Sequence, residues 1–158
     1  MLLLLIPGFG LIAQTGENNA NYHVGIGLRA GETSGITLNV NTSGTAGLEF
    51  IAGLWSNWIT FTALYEKRAD AFQVNGLRWY YGAGGHIAGS TGTYYSEGRL
   101  YTRGQDYGLG ADGTVGLEYK IPQIPFALNA GIKPFFEIYR NGDLFLGMDP
   151  GIGIKFTF

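Results

Sequence analysis

Leu146-Gly147-Met148-Asp149-Pro150-Gly151-Ile152-Gly153-Ile154-Lys155-Phe156-Thr157-Phe158 ends the sequence, and every second residue of the stretch is apolar. Leu146, Met148, Pro150, Ile152, Ile154, Phe156 and Phe158 share one side; Gly147, Asp149, Gly151, Gly153, Lys155 and Thr157 share the other. Side chains alternate across a strand with a period of two, so this spacing predicts a strand with one oily face and one polar face.

Working back from it, the same alternation returns seven times. Tyr22, Val24, Ile26, Leu28 and Ala30 oppose His23, Gly25, Gly27, Arg29 and Gly31; Ile36, Leu38 and Val40 oppose Thr37, Asn39 and Asn41. The pattern continues over Ala46–Leu54, Ile59–Tyr65, Leu77–Ile87, Leu109–Tyr119 and Phe126–Ile138. Eight strands are the minimum for a closed membrane barrel. The apolar faces carry no Asp, Glu, Lys, Arg, Asn or Gln, whereas the opposite faces hold Glu49, Glu66, Asp112, Glu118, Glu137 and Asp149 with Arg29, Arg68, Arg78, Lys120, Lys133 and Lys155. Eight strands enclose only enough room for packed side chains, and the glycine-rich polar face fits that space better than the bulky apolar one. The expected fold is therefore all-β, an eight-stranded antiparallel up-and-down transmembrane β-barrel with charges inside and oil outside. Arg or Lys on the lipid face would cost about 2–4 kcal/mol at the bilayer midplane.

The 158 residues are 46% hydrophobic and 14% charged, with 27 glycines, no cysteine and a net charge of −2. That balance argues against a nucleic-acid partner, which calls for a basic surplus, and the lack of cysteine removes disulfides and thiolate metal sites. Leu2–Ile6, extended to Ala13-Gln14, reads as the hydrophobic region and cleavage end of a signal peptide, although no Lys or Arg precedes it and Leu11 stands where a small residue is preferred. The expected division is a signal peptide over 1–14, its start truncated or mis-assigned, and a barrel domain over 15–158.

The strand pattern and the terminal aromatic resemble small outer-membrane barrels of Gram-negative bacteria, the group of OmpX and the membrane domain of OmpA. Gly76-Leu77-Arg78-Trp79-Tyr80-Tyr81-Gly82-Ala83-Gly84-Gly85-His86 also resembles porin-like barrel proteins. The resemblance implies an outer-membrane location, contact with membrane lipid and lipopolysaccharide, and a barrel-assembly signal at Phe156 and Phe158. With both termini in the periplasm, the short turns are Asn41–Thr45, Lys67–Asn75 and Ile121–Pro125, and the outer loops are Glu32–Thr33, Ser56–Asn57, Ala88–Tyr107 and Arg140–Asp143. The longest connection then lies outside, where Tyr94, Tyr95, Arg99, Tyr101, Arg103 and Tyr107 are candidates to meet a surface ligand or protein partner. A monomer is expected.

Inside the barrel, a charge network is expected from Arg29, Glu49, Glu66, Arg78, Asp112, Glu118, Lys133, Asp149 and Lys155. Counted from the strand ends, Arg78 lies level with Glu66 and Glu118, Arg29 with Asp149, and Asp112 with Lys133. Pro134 and Pro150 interrupt strands, where each removes a ladder bond; a bulge is expected at Pro134 and the outer rim at Pro150. Gly25-Ile26-Gly27-Leu28-Arg29-Ala30 matches the dinucleotide fingerprint in form, but a strand runs through it where a helix is required. Asn41-Thr42-Ser43 is a glycosylation sequon in form only. His23 and His86 lie on different strands and offer no multi-histidine metal site, so no catalytic, cofactor or metal site is expected. Lipid A modification is the enzyme alternative, with His86, Ser90 and Glu97 as base, nucleophile and acid; inward parity at His86 counts against it. A narrow channel is a further alternative, opposed by Trp55, Tyr80, Phe135 and Tyr139 among the inward residues.

Overall fold

Ten strands form from the alternating segments: β1 (Val24–Gly31), β2 (Ser34–Ser43), β3 (Ala46–Trp55), β4 (Trp58–Asp70), β5 (Leu77–Ser90), β6 (Thr93–Ser96), β7 (Arg99–Thr102), β8 (Tyr107–Lys120), β9 (Phe126–Tyr139) and β10 (Leu144–Thr157). The computed structural model describes residues 21–55, 58–90, 93–96, 99–102, 107–140 and 142–158. The segment 1–14 lies outside the described residues. Eight strands close a barrel in the order β1-β10-β9-β8-β5-β4-β3-β2, every pair antiparallel, and β6 with β7 makes a separate hairpin.

The stagger of the barrel can be read from its pairing. From Ile154 the register passes through Leu28, Ile36, Ala52, Phe61, Ile87, Leu109 and Ile138 and returns to β10 at Leu144, ten residues from its start. Such a stagger tilts the strands by about 40°. Both ends of the described chain lie at one mouth, where the His23 N–H donates to the Phe158 carbonyl (2.9 Å) and the Phe158 N–H to the Val24 carbonyl (2.8 Å). The 71–76 turn at that mouth ends at Gly76, whose φ of 86° and contact with the Lys120 carbonyl leave no place for a Cβ.

The side chains are turned inside out relative to a water-soluble core. Among the described residues, nineteen polar or charged side chains are buried against eight hydrophobic ones, while thirty-one large hydrophobic residues are exposed. Glycines make the room inside: the Tyr80 ring lies over Gly116 and Gly131, its neighbours in register on β8 and β9, and a Cβ on either would strike it.

The structure departs from these expectations in five places. Tyr22 is buried and His23 exposed, the reverse of the expected faces, because β1 begins at Val24 and the chain before it bends into the mouth. The expected loop Ala88–Tyr107 is in part strand, since β5 runs to Ser90 and β6 and β7 pair from Thr93–Thr102 to Ser96–Arg99. The expected turns Lys67–Asn75 and Asn41–Thr45 are both shorter, because β4 continues to Asp70 and β2 to Ser43. Finally, Pro134 makes no bulge: β8 and β9 keep one register from Asp112–Phe135 to Val115–Ile132, and only the pairs at Gly113 and Thr114 are missing. Pro150 lies one residue past the last β1–β10 pair, Gly31 with Gly151.

Candidate functional site

Inward parity on eight strands gathers the polar residues into two clusters, one nearer each mouth. Toward the mouth that holds the chain ends, Lys155 Nζ on β10 reaches Glu49 Oε1 on β3 at 2.8 Å and Glu118 Oε2 on β8 at 3.4 Å. Arg68 on β4 lies 2.8 Å from Glu66 and 3.6 Å from Glu118 and also donates to Asn41. Thr37 donates to Glu49 at 3.1 Å and Asn39 to Glu66 at 3.4 Å. The Tyr22 hydroxyl closes this cluster from outside β1, donating to Glu118 Oε2 at 2.8 Å. Burial first, and then the Glu118 carboxylate, raises that hydroxyl above the ordinary phenol range.

One inward step above Glu49 and Glu66 lie Ile51 and Leu64, both buried. Beyond them is the second cluster. Lys133 Nζ lies 2.8 Å from Asp112 and 3.6 Å from Asp149, and Arg29 lies 3.2 Å from Asp149. His86 sits between two acids, Nδ1 at 2.8 Å from Asp112 and Nε2 at 3.7 Å from Glu137. The Phe135 ring meets His86 edge-on at 5.5 Å. At the far mouth the inward rings of Trp58 on β4 and Tyr139 on β9 meet at 5.6 Å.

All nine residues of the expected charge network are buried. Arg29 with Asp149 and Asp112 with Lys133 are in contact as paired above. The guanidinium between Glu66 and Glu118 is that of Arg68, and Arg78 instead reaches toward the mouth, donating to Asn21 Oδ1 at 3.2 Å and to the Gly44 carbonyl. Lys120 stays at the end of β8, donating to the carbonyls of Ile121 (3.2 Å) and Ile124 (2.8 Å). Tyr22 joins the network although its spacing puts it on the apolar face, and its phenolic hydroxyl is the one sequence feature that fits the place it takes.

The outer candidates are divided. Phe156 and Phe158 point outward with rings 4.9 Å apart, and Phe126 meets Phe156 edge-on at 5.3 Å. Tyr107 is exposed, with Arg140 over its ring at 5.8 Å. Tyr94, Tyr95, Arg99 and Tyr101 belong to β6 and β7, and Arg103 and Glu97 lie outside the described residues. Ser90 is four residues along β5 from His86, a span of about 13 Å in an extended strand, so those two side chains belong to different levels of the barrel. A concavity of about 900 Å³ lies on the outer wall among Leu28, Ile36, Leu117, Leu128 and Ile154.

The chain is thus a closed eight-stranded antiparallel barrel with ion pairs within and an apolar outer wall. No family model, curated protein or solved structure matches it.

Proposed function

We propose that the chain is an integral outer-membrane barrel protein of a Gram-negative bacterium, of the OmpX and OmpA-domain kind, without catalytic activity and monomeric. The single observation that carries this reading is the inverted distribution of side chains: a wall of exposed large hydrophobic residues, among them Leu28, Ile36, Leu54, Leu109, Leu146 and Ile152, surrounds an interior of paired charges. Water would expel such a wall, whereas hydrocarbon accepts it, and a closed barrel pairs the backbone groups of its strands with one another along the length they share, as hydrocarbon demands. Outward aromatics at both ends of the wall support the same reading. Tyr65, Trp79, Tyr81, Phe156 and Phe158 lie nearer the chain ends, and Phe61, Tyr107 and Phe136 nearer the far mouth, as in the girdles of membrane barrels.

In this reading both termini face the periplasm, and the β5–β8 connection with its β6–β7 hairpin stands at the cell surface to meet lipopolysaccharide, a ligand or a partner protein. His86 serves the interior ion-pair network, its two nitrogens directed at Asp112 and Glu137. The test is fractionation with gel mobility. The protein is expected in the outer-membrane fraction, and an unboiled sample in SDS should run differently from a boiled one, because the closed barrel resists detergent until heated. A soluble protein with identical mobility in both states would sink the proposal.

A further inference from the structure

β10 has 14 residues, but β1, against which it closes, has only 8. Pairing between them runs from Gly25–Thr157 to Gly31–Gly151, and the chain then turns through Glu32–Thr33 into β2. Beyond that point Leu144–Pro150 pairs with β9, from Leu144–Ile138 to Pro150–Ile132. Among the described residues no strand takes its other edge.

Which groups this leaves over follows from alternation. Phe158 exchanges its backbone bonds with Val24, so the even-numbered residues of β10 turn their N–H and C=O toward β1. The open groups are therefore the N–H and carbonyl groups of Leu144, Leu146 and Met148. Pro150, with no N–H to offer, stands at the base of the open stretch.

At about 40° of tilt and about 3.3 Å per residue, the tip of β10 rises about 14 Å above the β1–β2 tip. The strand tops climb step by step around the barrel and fall all at once at this seam, so no tilt of the whole barrel levels the step. Its floor is braced: the Thr33 N–H donates to Asp149 Oδ1 at 3.1 Å, and Arg29 donates to the Asp149 carbonyl at 3.1 Å. The outward side chains beside the edge are bare, Leu146 being 72% exposed.

We propose that this edge docks an extended peptide segment of another protein, which adds as a strand in line with β1. Backbone donors and acceptors repeated at every second residue are matched in spacing throughout only by another extended backbone. A lipid headgroup offers one or two such atoms and no ladder. The added strand continues the β1–β10 interface and, like β1, runs antiparallel to β10. Its own alternation has apolar residues outward, extending the face of Leu144, Leu146 and Met148, and small or polar residues inward beside Gly147 and Asp149. The inference goes beyond the membrane reading and rests on pairing alone.

Amide hydrogen exchange of the full chain in detergent micelles tests it. The probe is a nine-residue peptide alternating leucine and threonine, with a control copy N-methylated at every second residue. Leu146 and Met148 amides are expected to exchange far faster than Ile152, and saturating peptide should slow them at least about tenfold, as new ladder bonds do, while the methylated copy has no effect. Leu146→Pro removes a donor on the open side only and should abolish the slowing. Amides already as protected as Ile152 without peptide would overturn the proposal, as would no slowing at saturation, or equal slowing by both peptides. Protection that grows with protein concentration alone would assign the edge to a second copy and overturn it too. Should the proline variant fail to fold, the comparison of the two peptides on the unaltered chain still decides.

Discussion

Arg68 carries the cluster nearer the chain ends, because its guanidinium stands between two buried carboxylates, Glu66 at 2.8 Å and Glu118 at 3.6 Å. Removing one partner of a buried pair leaves the other charge uncompensated, which costs roughly 3–5 kcal/mol. Arg68→Ala should therefore lower the urea unfolding midpoint of the micelle-bound protein substantially. Arg140→Ala, at an exposed position, should change stability by less than about 0.5 kcal/mol. Equal midpoints would mean that the interior pairs contribute nothing. That Arg68 faces inward is legible in the sequence; that it, and not Arg78, lies between the two acids is not. Arg78 is opposite Glu118 in the register, so depth alone favours it. The direction in which a long side chain leans is settled by its neighbours, here Asn21 and Gly44 at the mouth. Tyr22 illustrates the same limit, since it continues the apolar spacing of β1 while the backbone has already left the strand.

Among the elements, β1 is the most weakly held. It shares seven residue pairs with β10 and six with β2, whereas β5 shares thirteen with β4 and thirteen with β8. Local opening follows the elements with fewest buried bonds, so β1 amides should exchange at least about tenfold faster than central β5 amides in the same micelle sample. Indistinguishable rates would show that the barrel opens only as a whole. The eight wall strands were legible because each is long enough to repeat its period several times. The β6–β7 hairpin was not, since Thr-Tyr-Tyr-Ser and Arg-Leu-Tyr-Thr are four residues each and show no period. Pro134 departs from the expected bulge for a different reason: a missing N–H demands a missing bond but does not demand an extra residue, and β9 loses two pairs opposite Gly113 and Thr114 while keeping its register.

At the scale of the whole molecule, side chains narrow the interior at both ends, Tyr22 at one mouth and the Trp58–Tyr139 ring pair at the other. An eight-stranded interior has room for side chains and little else, so the protein inserted into a planar bilayer should give no porin-like current steps. Sustained steps of that size, lost on denaturation, would contradict a filled interior. The alternation makes the closed barrel and its inverted faces legible, but it cannot carry the register. A slip of one residue would turn oil inward, which the pattern forbids. A slip of two leaves every side chain on its proper face, and there the pattern is blind. Such a slip shifts a strand by about 7 Å, far enough to part Lys155 from Glu49 and Lys133 from Asp112, which now stand 2.8 Å apart. The buried charges thus work as a vernier. A barrel that closes one notch out of line strands its ions in a dry wall, and that penalty drives it to reopen and close again in register.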